Sequence, residues 1–425
     1  MAGGALLSAL APERFAHAAS GSDEIKIALV GCGGRGGGAC GQALSTYELG
    51  PIKLVATGDI HEDRMKTTLD NLTKTHGSRV DVPPERQFLG FDAYKKAIEV
   101  CDVAILATPP GFRPMMFEEA VKQGKHVFME KPVASDAAGV RRVLAAAEEA
   151  KKKNLKVGVG LQRHHQAGYI ETVKRLHDGQ IGDIVSMSAY WNGQRPWQKK
   201  RADLEKQYGR KLTEMEYQLR NWYYFTWICG DHICEQHIHN IDVINWVKNG
   251  HPVKARAMGG REINNGGADD GEIFDHFAIE YDYEDGSTSY SQCRHQPGCW
   301  NSVSEHVVGT KGKCDVGGNK IYGADQWRFK AEGAKDPYQQ EHDDLFAAIR
   351  NNKEYSEAVY GAESTMTAIL GRMAAYSGKE LEWKAALESK IELLPKELGF
   401  DKPAPVNPGP DGLYQRAVPG KTQVI

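Results

Sequence analysis

EIKIALVGCGGRGGGACGQAL, residues 24–44, decides how the chain begins to fold. Ile25 to Val30 is a short apolar run of the kind that forms a strand buried on both faces. It runs directly into Gly31-x-Gly33-x-x-Gly36. In a strand–turn–helix unit the first glycine permits the tight turn. The second lets the backbone approach a diphosphate, and the third lets the following helix lie close to the strand with its N-terminus aimed at the anion. The glycines alone are a weak signal. A second strand, IKLVATGDI, strengthens it by ending at Asp59, 23 residues beyond Gly36. A carboxylate there accepts from ribose hydroxyls and repels a 2′-phosphate, which favours NAD over NADP. Arg64, close by, is the feature that would suit a 2′-phosphate.

The alternation continues. CDVAILATPP reads as a buried strand closed by prolines, RPMMFEEAVKQGK as a helix, and HVFMEKPVA as a strand ending at Glu130-Lys131-Pro132. SDAAGVRRVLAAAEEAKKKN reads as a helix with Ser135 as N-cap, and LKVGVGLQRHH as a further strand. Strand and helix in alternation predict a doubly wound parallel sheet, with its ligand beyond the strand C-termini. Lys131 stands at one of those ends. The expected cofactor contacts are Gly31, Gly33, Gly34, Arg35, Gly36, Asp59, Thr108, Pro109, Glu130 and Lys131.

GxGxxG, an acid ending the second strand, and EKP after a later strand resemble the glucose-fructose oxidoreductase/inositol dehydrogenase (Gfo/Idh/MocA) family. GLQRHHQAGYIETVKRLHDGQIGDIVSMSA, the HNID stretch and HDDLFAAIRNNKEYSEAVYGAESTMTAILGRMAAYSGKELEW extend the likeness over most of residues 24–384. The resemblance implies an α/β fold: a Rossmann dinucleotide-binding domain followed by an α+β domain with a large, mostly antiparallel, open sheet. The free face of that sheet would serve as a subunit interface in a homo-oligomer, a dimer or tetramer. It also implies an active site pairing the EKP lysine with a histidine and with an acid four residues before it. Those positions here are Lys131, His239 and Glu235. The family more often has Asp at the position of Glu235 and a small residue at that of His237. Arg163 occupies a family position in the link to the second domain and is expected at the substrate.

WICGDHICEQHIHNIDVINWV, residues 227–247, is the other informative stretch. Residues 230–249 placed on one helix put Glu235, His239 and Asp242 on one stripe, with His237 about 160° from His239. A carboxylate one turn from an imidazole suits proton transfer: Glu235 or Asp242 would bond one ring nitrogen, and the other would take a hydroxyl proton. A zinc site from His232, Glu235 and His239 is the alternative, but the spacing is not that of HExxH sites; no metal is expected. Between residues 190 and 228 lie Trp191, Trp197, Trp222, Tyr223, Tyr224 and Trp227. Any one of these belongs more naturally to core or interface. Together they favour a carbohydrate-sized ligand, with Trp222 and Tyr224 in the substrate site alongside Asp242. Arg294 and His295, on a further strand, are expected to face the same pocket.

Three readings stand. The first is an NAD-dependent dehydrogenase of a sugar, glycoside or polyol, with His239 as base and Lys131 steadying the alkoxide. The second is an NAD-dependent glycosidase that oxidises one sugar carbon transiently, eliminates, and restores the cofactor. The third is a non-catalytic NAD-binding scaffold, against which the intact Lys131, Glu235 and His239 argue.

Composition limits the rest. With 425 residues, 41% hydrophobic and 26% charged, there is material for two domains. A net charge of −3 gives no basic excess for nucleic acid or an anionic membrane. No apolar run is long enough to span a bilayer. The eight cysteines are scattered and form no CxxC. Residues 1–20 carry a short apolar stretch and an Ala16-His17-Ala18 pattern like an export leader, which implies the periplasm and a firmly held cofactor. The alternative is a plain N-terminus on a cytoplasmic protein. The expected division is 21–157 for the Rossmann domain, 158–392 for the second domain, and 393–425, Pro- and Gly-rich, for an extended arm.

Overall fold

The computed structural model describes residues 24–263, 267–330 and 333–425; the leader-like stretch lies outside them. The strands expected from the apolar runs form as β1 (Ile25–Val30), β2 (Ile52–Asp59), β3 (Gln87–Leu89), β4 (Val103–Leu106), β5 (His126–Met129) and β6 (Val157–Val159). They make one parallel sheet in the order β3-β2-β1-β4-β5-β6. Strand order reverses between β1 and β4, where a doubly wound sheet opens its ligand crevice. The helices α1 (Gly34–Leu44), α2 (Glu62–His76), α3 (Ala93–Glu99), α4 (Arg113–Lys122) and α5 (Ala137–Lys152) connect the strands. The N-cap of α5 is Asp136, not Ser135: the Asp136 carboxylate accepts from Gly139 N–H at 2.7 Å. The Ser135 hydroxyl instead donates to the Trp227 carbonyl at 3.0 Å, joining the two halves of the molecule.

Two helices, α6 (Ala167–His177) and later α7 (Arg201–Tyr208), flank β7 (Ile184–Gly193), the central strand of a second, nine-stranded sheet. It also contains β8 (Lys254–Gly260), β9 (His276–Asp282), β10 (Thr288–His295), β11 (Ser302–Gly309), β12 (Gly312–Asp315), β13 (Lys320–Gly323), β14 (Trp327–Arg328) and β15 (Leu381–Glu382). All its pairings are antiparallel except β7 with β10. The predicted α/β architecture is therefore borne out, with a mixed second sheet.

Side chains alternate across β10. Ser289, Ser291, Cys293 and His295 are buried while Tyr290 and Gln292 are exposed. The buried face packs on the helix Ile238–Lys248 and on α13 (Ala358–Ser377). The outer face carries Tyr290 and Val308, and Met258 at 76% exposure.

The helix α12 (Pro337–Arg350) returns to the first sheet, where Leu345 and Phe346 join the core of Ile27, Leu29 and Phe128. The Pro-rich C-terminus lacks regular structure yet packs on its own chain. Leu394, Phe400 and Val406 lie against the core, and Tyr414 is buried with its hydroxyl donating to Glu214 at 2.7 Å. Among the described residues no helix is long and apolar enough to cross a membrane.

Candidate functional site

The segment expected to be one helix over 230–249 is two. Asp231 takes φ +72, and its carboxylate accepts from His232 N–H at 2.5 Å, starting α10 (His232–Glu235). Gln236 and His237 then interrupt the ladder: His237 N–H reaches back to the His232 carbonyl, and His239 N–H bonds Gln236 O. A new helix, α11 (Ile238–Lys248), follows. The break removes the one-turn relation on which the stripe depended.

Glu235 turns to Lys131 rather than to His239. The Lys131 ammonium lies 3.3 Å from Glu235 Oε1 and donates to the Glu235 carbonyl at 2.5 Å. Asp242, buried, bonds His164 Nε2 at 2.9 Å and accepts from Ser364 Oγ at 2.8 Å. No carboxylate therefore orients His239, contrary to the expectation. The His239 ring stacks on Trp191 with centroids 5.9 Å apart. Its Nδ1 is buried without a hydrogen-bond partner. Burial first, and the charges of Lys131, Arg163 and Arg35 next, hold its pKa well below the usual imidazole value; the ring is neutral near pH 7.

At the C-terminal edge of the first sheet opens one cleft of about 630 Å³, a size typical of a small-molecule site. Lys131, Glu235 and His239 stand in its wall together with every expected cofactor contact: Gly31, Gly33, Gly34, Arg35, Gly36, Asp59, Thr108, Pro109 and Glu130. The Lys131–Pro132 bond is cis. Trp222 also lines the cleft. Arg163, Asp242, Tyr224 and Arg294 do not. The Arg163 guanidinium is taken by Glu305, a fully buried carboxylate that also accepts from Asn240 and Tyr169. Tyr224 is buried, its hydroxyl donating to Pro196 O at 3.4 Å. Arg294 follows from strand geometry: neighbours on β10 point to opposite faces. With His295 inside, Arg294 is outside, donating to the Trp300 carbonyl.

The glycine loop fits a dinucleotide. A Cβ on Gly31 (φ +92) would fall 2.5 Å from Thr108 N, and one on Gly36 would fall 2.0 Å from Gly31 O. Both glycines are required by packing. Nothing lies within 4 Å of a Cβ on Gly33, which borders the cleft, so a side chain there would fill the cradle itself. Gly33 caps α1 without a side chain, leaving the helix N–H groups to meet an anion. Asp59 fastens the loop by accepting from Cys32 N–H at 2.6 Å and His61 N–H at 2.7 Å. Burial pushes its pKa up, and those backbone donors pull it back. A carboxylate has lone pairs beyond these two bonds for a ribose hydroxyl.

Several lining residues were not anticipated. Arg113, buried, donates to the Thr108 and Pro132 carbonyls and so ties the ends of β4 and β5 together. Its place just beyond a strand-ending TPP was the available signal. Tyr338, under Arg35 with 5.0 Å from guanidinium carbon to ring centroid, comes from α12; nothing in its local sequence marks it. A further helix, α8 (Glu214–Arg220), brings Arg220 to the cleft, where it forms a two-pronged pair with Asp63 at 2.7 and 2.9 Å. Two short elements, residues 222–224 and α9 (Thr226–Cys229), lead from there to α10. Among the described residues no cluster of His, Cys, Asp and Glu has the form of a metal site.

Residues 25–159 match the model of an oxidoreductase family with an NAD-binding Rossmann fold, and residues 169–315 match the GFO/IDH/MocA C-terminal domain. An inositol 2-dehydrogenase of Agrobacterium fabrum is 29% identical over 55% of the chain and 57% of its own length. One from Ralstonia nicotianae is 34% identical over 37% and 43% respectively, and one from Gluconacetobacter diazotrophicus 28% over 34% and 46%. The chain thus spans about half the length of the curated relatives it matches. Aldose-aldose oxidoreductase from Caulobacter crescentus, solved with glycerol, superposes with a TM-score of 0.65 at 18% identity over 85% of this chain and all of that one. A levoglucosan dehydrogenase, solved with NADH and levoglucosan, gives 0.64 at 15% identity over 85% and 99%. At such identities the likeness speaks for the fold. With both of its domains matched in order, the chain belongs to the Gfo/Idh/MocA oxidoreductase family.

Proposed function

We propose that the protein is an NAD-dependent oxidoreductase acting on a hydroxyl of a sugar, glycoside or polyol, with His239 as general base and Lys131 stabilising the alkoxide. The observation that carries this reading is the meeting of Lys131, from the end of β5, and His239, from α11, in the wall of the cleft that the glycine loop opens. The relatives named as inositol 2-dehydrogenases support the substrate class. The residues that would hold the cofactor are those of the Gly31–Gly36 loop, with Asp59 at the ribose; NAD rather than NADP follows from that carboxylate. A bound nicotinamide supplies a hydride acceptor at C4.

The protein's own groups do the rest. The neutral His239 ring accepts the hydroxyl proton. Lys131, held by Glu235, presents a positive charge where negative charge develops on oxygen. Desolvation and the Lys131 charge both disfavour imidazolium, so the proton His239 takes must pass on quickly. Trp222 and Trp197, 5.6 Å apart edge to face, offer apolar walls to a sugar ring. A second copy of the chain would cover the outer sheet face around Tyr290, Val308 and Met258.

The test is a panel of sugars, methyl glycosides and inositols incubated with the purified protein and NAD. Absorbance of reduced nicotinamide is followed alongside chromatography of released sugar. Stoichiometric NADH is the expected result. Sugar release without net NADH would replace dehydrogenation by the glycosidase reading, and no reaction with any member would end both.

A further inference from the structure

Between Glu235 and His239 stands Gln236, half-buried and in the wall of the same cleft. Its Oε1 lies 2.8 Å from His295 Nε2. An amide oxygen only accepts, so the proton of His295 sits on Nε2 and donates to Gln236. The amide nitrogen is thereby turned away from His295, and it has no hydrogen-bond partner among the described residues.

His295 is built as a fixed support. It is fully buried at the end of β10, its backbone N–H bonds Asp275 O at 2.8 Å, and its ring lies 4.1 Å from that of His232 and 5.8 Å from that of Tyr223. The amide cannot simply flip. Flipping would force the imidazole proton onto Nδ1, which is buried with no partner, and buried N–H groups without an acceptor are rare. Burial also pulls the His295 pKa down to about 4, so the ring stays neutral at working pH.

We propose that Gln236 is a specificity determinant: its amide, aimed by His295, donates N–H bonds to a second oxygen of the sugar or polyol, distinct from the one addressed by His239. The assignment rests on the oxidoreductase reading above. His295 is its positioning residue and touches no substrate. A site that donates to a substrate oxygen discriminates against an analogue lacking it, because the donor is left bare.

The experiment is steady-state kinetics with NAD and D-glucose, methyl β-D-glucopyranoside and myo-inositol, each compared with its monodeoxy analogues. The wild type is set beside Gln236→Leu, the isosteric Gln236→Glu, His295→Phe and the Gln236→Leu/His295→Phe double variant. In the wild type one deoxy position is expected to raise KM about tenfold. Both Gln236 variants raise the parent's KM about tenfold, keep kcat within about threefold, bind NAD as the wild type does, and lose discrimination at that one position. His295→Phe gives the same loss, and the double variant adds nothing to it. Retained discrimination in both Gln236 variants overturns the assignment while leaving the oxidoreductase reading intact. Absence of wild-type turnover with these parents and with every member of the panel above overturns that reading and this assignment with it.

Discussion

The two walls of the cleft are built by different rules. On the Rossmann side four key groups stand at the C-terminal end of a parallel strand or within two residues of it: Gly31 after β1, Asp59 ending β2, Thr108 after β4, Lys131 after β5. Parallel strands of similar register force those ends to converge, so local sequence is enough to place them. On the opposite side the wall is assembled from α8, residues 222–223, the break between α10 and α11, and α12. These elements are brought together by tertiary packing alone. The first wall is generic chemistry for a dinucleotide, and the second is where this chain's individuality lies.

If the division of labour is right, the largest effects come from the pair that joins the walls. His239→Ala and Lys131→Ala are each expected to lower kcat by roughly 10² or more, with circular dichroism little changed. Near-normal turnover in either would mean the roles are misassigned. The pH dependence sharpens this. In the proposed role His239 acts as the unprotonated base, and burial together with Lys131 lowers its pKa well below 6.5. Protonation therefore sets in only at lower pH, and kcat/KM against pH should stay flat down through 6.5. An acid limb at or above that value would show a base other than His239.

Within the Rossmann wall, neighbouring glycines separate folding from binding. Gly36→Ala drives a Cβ against the Gly31 carbonyl. It should cost about 1–3 kcal/mol of stability or more, read as a fall in Tm. Gly33→Val meets no protein atom at its Cβ, so Tm should hold while NAD affinity falls by on the order of tenfold or more. Equal behaviour of the two variants in both assays would remove the cradle.

The same contrast explains what was legible in advance. The parallel sheet, the glycine loop and Lys131 follow from a period of apolar runs punctuated by turn residues, and each reading needs fewer than about thirty residues of context. The failures share a cause. One continuous helix over 230–249 satisfied periodicity, but nothing local announced that Asp231 would take φ +72 to reach Phe274 N–H and Tyr376. Arg163 and Asp242 carry charges suited to a substrate, yet the buried Glu305 and the partly buried His164 engage them first. Both partners are distant in sequence. Arg294 is the instructive exception: once β10 is accepted as a strand, alternation alone forbids it and His295 from sharing a pocket.

The smallest effects belong to the mouth of the cleft near Asp59, where the second wall meets the first. Phe400, from the C-terminal arm, lies 5.9 Å from the ring of His61 and 5.1 Å from that of Phe91, and both of those line the cleft. Thr213 fixes the arm there by donating to the Phe400 carbonyl at 2.7 Å, and Arg220 closes on Asp63 beside it. Asp63 is half exposed, so the ion pair contributes little to stability, about 0–1 kcal/mol. Its consequence should be kinetic. Arg220→Ala and Phe400→Ala are each expected to speed release of bound NAD several-fold in stopped-flow fluorescence, with Tm shifted by only a few degrees. The protein as purified should carry cofactor detectable after acid extraction. Unchanged release in both variants would confine this side of the cleft to the substrate and leave retention of the cofactor to the glycine loop alone.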